Sequence, residues 1–151
     1  ELGSWLGQGS TKYILNNYNG NLFAVDHWSS DISDYWNPSV EDERTIPVLY
    51  EGFLHNCWDY RDRLVPIRKD SVEALEYLKE LKVDLGMIYI DADHKYESVL
   101  RDIRASVYLF PDAVICGDDY TWPSVKEAVD QYAKQNNINV KINENAWLYE
   151  K

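Results

Sequence analysis

The residues with the most chemical potential lie in two short stretches. "MIYIDADHKYES", Met87 to Ser98, opens as an apolar strand and breaks into Asp91, Asp93 and His94. "AVICGDDYTW", Ala113 to Trp122, does the same and ends in the pair Asp118 and Asp119. Asp91 and Asp93 are two residues apart, so in an extended segment both point to the same side. Carboxylates crowded at neighbouring strand ends repel one another unless a cation sits between them. An all-oxygen ligand set selects a hard ion, magnesium first, with calcium or manganese as alternatives. The bland alternative is a set of solvated loop acids or helix caps. His94 can be a general base, a substrate contact, or a helix-start residue donating to a nearby carboxylate.

A second constellation could hold a nucleoside. "ELGSWLGQGST", Glu1 to Thr11, is a glycine-bearing turn entering a helix. Gly3, Gly7 and Gly9 let the backbone turn tightly and approach a ligand closely, because no Cβ intervenes. Their spacing is G-x-x-x-G-x-G, not the dinucleotide fingerprint G-x-G-x-x-G. The plain reading is a strand-to-helix turn capped by Ser10 or Thr11. In "VDHW", Asp26 ends the next strand, where a carboxylate can accept two hydrogen bonds from ribose hydroxyls. In "RKDS", Asp70 or Ser71 is a helix cap or a contact to an adenine amino group. Trp28 and Trp122 stand at this same edge, where a flat ring could cover a ligand.

These residues need elements to position them. "NLFAVD" (Asn21 to Asp26), "RLVPI" (Arg63 to Ile67), "LGMIYID" (Leu85 to Asp91) and "AVICGD" (Ala113 to Asp118) read as buried strands. Between and after them run helical stripes. These are Val72, Leu75, Leu78 and Leu81; Tyr96, Val99, Leu100, Ile103 and Val107; and Val125, Ala128, Val129 and Tyr132. "INVKIN" and "AWLYEK" form a terminal hairpin turning at Asn143 to Asn145. Ser29 to Glu43 reads as a mobile polar loop over a site. Strand–helix alternation predicts an α/β, doubly wound, Rossmann-like and mostly parallel sheet with an antiparallel C-terminal hairpin strand. In such a sheet ligands bind beyond the carboxyl ends of the strands, where the strand order reverses. Asp26, Asp91, Asp93, Asp118 and Asp119 all fall at such ends.

The 151 residues amount to one domain, residues 1–151. With no initiator Met, and first residues that read as the end of a strand, further residues are expected before Glu1, with most of a first strand among them. No apolar run approaches the roughly 20 residues a membrane span needs. The net charge of −11 argues against a nucleic-acid partner. Two cysteines, Cys57 and Cys116, offer no disulfide framework, so a reducing cytoplasm is the expected location.

Taken in order, "ELGSWLGQGST", "FAVDHW", "IDADHKYESVLRDI" and "AVICGDDY" resemble class I S-adenosylmethionine-dependent methyltransferases, most closely the macrocin-type sugar and aminocoumarin O-methyltransferases. The resemblance spans essentially the whole chain. It implies a seven-stranded sheet with one antiparallel terminal strand, and methyl transfer to a small hydroxylated acceptor such as a sugar, diol or catechol. It implies that Asp91, Asp118 and Asp119 hold magnesium or another divalent cation and that Asp93 is the general base, with His94 beside it. For the cofactor it implies Glu1, Gly3, Ser4, Gly7 and Ser10 near the methionine part. Asp26, flanked by His27 and Trp28, would face the ribose, Asp70 and Ser71 the adenine, and Asp91 would close the pocket. His94 departs from the pattern, since sugar-modifying relatives often carry an apolar residue there. Three alternatives remain at this point: a metal-independent methyltransferase using His94 or Asp93 alone, a non-catalytic nucleoside-binding fragment, and a nicotinamide-dependent oxidoreductase. The oligomeric state stays open, a homodimer included.

Overall fold

The computed structural model describes residues 1–29 and 49–150. Apart from Ser29, the polar loop expected over the site lies outside the described residues. The elements run α1 (Ser10–Asn17), β1 (Leu22–Asp26), α2 (Leu49–Asn56), a 3₁₀ turn (Trp58–Tyr60), β2 (Leu64–Arg68), α3 (Ser71–Glu80) and β3 (Met87–Ile90). They continue with α4 (Tyr96–Leu109), β4 (Val114–Gly117), α5 (Pro123–Asn136), β5 (Asn139–Asn143) and β6 (Ala146–Glu150). Helix α2 was not read from the sequence; its helical face is short and interrupted by Gly52. None of the described helices is long and apolar enough to cross a membrane.

Parallel pairs β1–β2 and β3–β4 form two halves of the sheet, and β6 lies antiparallel between β4 and β5. The halves are stitched by the first two residues. Leu2 bridges Val25 on one side and Ile90 on the other, both in parallel sense. Its N–H donates to Tyr89 O (2.8 Å) and its carbonyl accepts from Asp91 N (2.8 Å), while Glu1 O accepts from Val25 N (2.9 Å). From β1 the chain winds outward to β2, then returns across Leu2 to β3. That reversal is the switch point where ligands bind in open α/β sheets.

Side chains alternate between two cores, as strand pleating requires. Val25, Ile88, Ile90 and Ile115 join the large core under α3, α4 and α5. Leu22, Ala24 and Leu64 join the opposite core beneath α1 and α2. The stripe drawn along α3 needs correction. Leu81 is 56% exposed, and the buried face is Ser71, Ala74, Leu75 and Leu78. Steps of three drift backwards on a 3.6-residue helix, so nine residues after Val72 the direction has turned by about half a circle.

One acid is buried in this packing. Asp102 of α4 is 1% exposed, held by Arg101 (3.2 Å) and Ser71. Burial pushes its carboxyl up to about 6, against the pull of Arg101 and Ser71. Its folded-state value lies above the unfolded one, so the native chain holds the extra proton and loses stability as pH rises through about 6. Asp102→Asn is expected to remove this slope. Urea unfolding on either side of that pH should show the variant gaining on the parent as pH rises, by at most about 3 kcal/mol.

Candidate active site

The glycine loop is built against the end of β3. Gly3 has φ +87°, and a Cβ there would lie 2.1 Å from the Asp91 carbonyl oxygen. Only glycine permits both the conformation and the approach. Asp26, at the end of β1, organises the same loop. Its Oδ2 accepts from Ser4 N (3.0 Å) and Trp5 N (2.9 Å), and its Oδ1 from Trp28 N (2.8 Å). Trp5 and Trp28 both sit in left-handed backbone conformations (φ 44° and 42°), unfavourable for bulky residues. The Trp28 indole closes the arrangement by donating to Trp5 O at 2.7 Å. Asp26 thus holds two strained residues in place and keeps one lone pair of Oδ1 for an outside donor.

Two buried oxygens in this region have no partner among the described residues. Glu1 is buried, and its Oε2 accepts from Thr11 Oγ1 (2.5 Å). Its Oε1 and the Ser4 hydroxyl are buried with no hydrogen-bond partner. An unsatisfied buried carboxylate oxygen is costly unless a ligand donates to it.

The carboxylates gather beyond β3 and β4. Asp91, His94 and Asp119 bring ligand atoms within 4.8 Å of one another. His94 Nε2 lies 2.5 Å from Asp119 Oδ2, and the imidazole stacks on Trp122 with centroids 4.6 Å apart. Burial, then the charges of Asp118 and Asp119, push the Asp91 carboxyl up to about 7, and Ser10 Oγ donates to it at 3.3 Å. Asp118, beside them, has both oxygens engaged. Tyr89 OH donates to Oδ2 (3.1 Å), while Asn145 Nδ2 (3.0 Å) and Asp119 N (2.9 Å) donate to Oδ1. Asp119 takes a left-handed backbone (φ 58°), which lets adjacent acids diverge. A cavity of about 10 Å³, room for one water-sized occupant, lies among Asp91, Asp93, His94, Asp118, Asp119 and Trp147.

Residues 1–120 match the sequence profile of the family described as Methyltransferase domain. The chain belongs to that methyltransferase family. That membership, with a fold shared with solved methyltransferases, favours methyl transfer from S-adenosylmethionine over the nicotinamide oxidoreductase reading. The chain is similar to the crystal structure of CalS11, calicheamicin methyltransferase (TM-score 0.61, 18% identity, 98% of this chain and 70% of that one). It is similar to the fibrillarin/Nop5p complex (TM-score 0.57, 13% identity, 98% of this chain and 68% of that one). A third similar structure is MycE methyltransferase from the mycinamycin pathway with Mg, SAH and mycinamycin VI (TM-score 0.52, 12% identity, 93% of this chain, 47% of that one). No curated protein matches significantly by sequence.

Several sequence-predicted site residues of this methyltransferase have other partners. Asp93 accepts from Lys95 N (3.1 Å) and Ser98 Oγ (2.6 Å), which ties the turn before α4 to the helix's first turn. Asp70 caps α3 through Val72 N (2.9 Å) and pairs with Arg101 (2.9 Å). Burial alone would raise its pKa, but those two contacts outweigh it and lower the value. Ser71 is buried and bonds Asp102. His27 is exposed, 3.8 Å from Asp70. Trp28, expected as an open cover, is 3% exposed and packs on Tyr50 and Phe53. Gly7 has φ +68°, and a Cβ there would strike Cys57 Sγ at 2.4 Å, so it serves packing of the loop on α2.

Two contributors escaped the sequence reading. Tyr89 sat in an apolar run and read as core. Asn145 read as a turn residue. The β4–β6 register pairs Gly117 with Trp147; extended two residues in antiparallel sense, it sets Asp119 opposite Asn145. Reading that pairing would have found it.

Asp26→Ala is expected to leave three backbone N–H groups without their acceptor. Calorimetry should show weaker S-adenosylhomocysteine binding, and thermal melting a loss of about 1–3 kcal/mol. Unchanged stability would mean that the loop does not depend on this carboxylate.

Proposed function

We propose that this methyltransferase transfers the methyl group of S-adenosylmethionine to a hydroxyl oxygen of a small acceptor, a sugar, diol or catechol-like molecule, with a divalent cation beside the reacting oxygen. The observation that carries the reading is the convergence of Asp91, His94 and Asp119 at the strand ends next to the glycine loop. The crystal structures similar in fold support it: CalS11 is a TDP-rhamnose 3'-O-methyltransferase, and MycE was solved with magnesium and its macrolide.

The residues fit both groups. The ammonium of a methionine moiety would satisfy Glu1 Oε1, now buried without a donor. A cation would offset the burial, and the neighbouring charges, that lift Asp91 to about 7. Asp91 and Asp119 would hold it, an oxygen pair that suits magnesium or manganese. The bound cofactor supplies an electrophilic methyl group, and the cation supplies a charge that acidifies and fixes the acceptor oxygen.

The chain's own part is alignment and proton removal. Asp26 and Gly3 shape the loop that presents the cofactor. His94 is oriented by Asp119 on Nε2 and by the Trp122 ring. Its imidazole takes the acceptor's proton, and Asp119 balances the resulting imidazolium. Asp93 was the base implied by resemblance, yet its oxygens receive Lys95 N and Ser98 Oγ. His94 is therefore assigned the base role.

S-adenosylhomocysteine titrations, with and without magnesium or manganese, test the reading together with turnover assays. Loss of turnover with a chelator supports the cation; turnover indifferent to chelator rejects it in favour of metal-free transfer. His94→Asn is expected to lower turnover by about a hundredfold or more while sparing cofactor and metal binding. Asp93→Asn should mainly lower thermal stability. The opposite ranking returns the base role to Asp93, and loss of metal binding in His94→Asn makes the imidazole a ligand.

A further inference from the structure

We infer that Asn145, at the tip of the β5–β6 hairpin, is a positioning residue that orients Asp119, tied to its neighbour Asp118, for a divalent cation. The inference rests on the cation reading above and assigns part of that site to the C-terminal hairpin. Asn145 Nδ2 donates to Asp118 Oδ1 at 3.0 Å and to Asp119 Oδ1 at 2.9 Å. A primary amide has two N–H donors. Both are used here, so a single nitrogen ties together two carboxylates that would otherwise repel.

The orientation of the amide follows from its other end. Oδ1 accepts from Thr121 N (3.1 Å) and Thr121 Oγ1 (2.5 Å). A flipped amide would turn its oxygen towards two carboxylates and its nitrogen towards the Thr121 N–H, losing three of the four bonds. Thr121 therefore sets which face of Asn145 meets the acids.

The hairpin tip is itself anchored to the same loop. Asn145 O accepts from Tyr120 N (2.8 Å), and the Trp147 indole donates to Asp118 O (3.1 Å). Gly117 leaves room for that indole, since a Cβ there would lie 2.7 Å from the Trp147 ring. With Oδ1 of Asp119 clamped, its Oδ2 is left turned to His94. Groups that orient ligating carboxylates act on metal affinity without touching the ion.

The test measures Mn²⁺ affinity of the full chain by electron paramagnetic resonance, for the parent, Asn145→Ala and Thr121→Val, with thermal melting alongside. Asn145→Ala is expected to bind Mn²⁺ about tenfold more weakly or worse, and Thr121→Val severalfold more weakly. S-adenosylhomocysteine affinity without metal is the control for an intact fold. A parent that binds no Mn²⁺ removes the cation reading, and this inference with it. A parent that binds, beside a folded Asn145→Ala variant within about twofold of it, overturns the inference alone. If Asn145→Ala does not fold, Thr121→Val decides, and unchanged Mn²⁺ affinity there also overturns it.

Discussion

Negative charge concentrated beyond β3 and β4 is the constraint around which this end of the molecule is arranged. Burial lifts Asp91 to about 7, and the carboxylates of Asp118 and Asp119 add to the effect. Like charges at this range disfavour a compact state unless donors or cations answer them. The chain answers with donors from several elements: Ser10 from α1, Tyr89 from β3, Asn145 from the terminal hairpin and His94 from the loop before α4. Asp118 is nearly saturated by these bonds, whereas among the described residues Asp91 has one side-chain donor, Ser10 at 3.3 Å. The imbalance leaves Asp91 as the carboxylate with the most to gain from a cation.

The position of that cluster follows from topology rather than from any one motif. Leu2 carries parallel bridges to both β1 and β3, so the residue after it, Gly3, emerges where the two halves of the sheet diverge. Asp26 leaves β1 and Asp91 leaves β3 at the same level. Both are therefore neighbours of the glycine loop although 65 residues separate them in sequence. Gly3 is forced by this convergence, because the Asp91–Ala92 backbone occupies the space a side chain would need. One loop thus touches the residues assigned to cofactor and those assigned to cation, as in-line transfer between the two requires.

Most of the scaffold was legible because its signals are local. Nearly continuous apolar runs marked β3 and β4, and 3.6-residue periodicity marked α4 and α5. The errors came where a residue's environment is set by distant chain. Leu81 was misplaced by counting in threes. Trp28 looked like a rim aromatic, but the left-handed turn held by Asp26 directs it under α2. Asp70 and Ser71 had two readings that sequence could not separate, and Arg101 and Asp102, 31 residues further on, supply the partners they have. Asn145 carried no signal of its own, because its relation to Asp119 exists only through strand pairing.

The choice between Asp93 and His94 shows how local helix physics can allocate chemical roles. A helix start exposes N–H groups that need acceptors, and a short acidic side chain just before it is the usual source. Asp93 lies two residues before the Lys95 N-cap of α4, and its oxygens accept from Lys95 N and Ser98 Oγ. Protonating it would weaken the bonds that tie this turn to the start of the helix supporting the site. His94 is one residue further along, its ring lying on Trp122 and against Asp119, and its own carbonyl is held by Ser124 Oγ at 2.6 Å from α5. Its backbone is held by Ser124 and its Nε2 by Asp119. In the base role proposed for it, the ring is thus oriented by α5 and by the loop after β4, not by the first turn of α4.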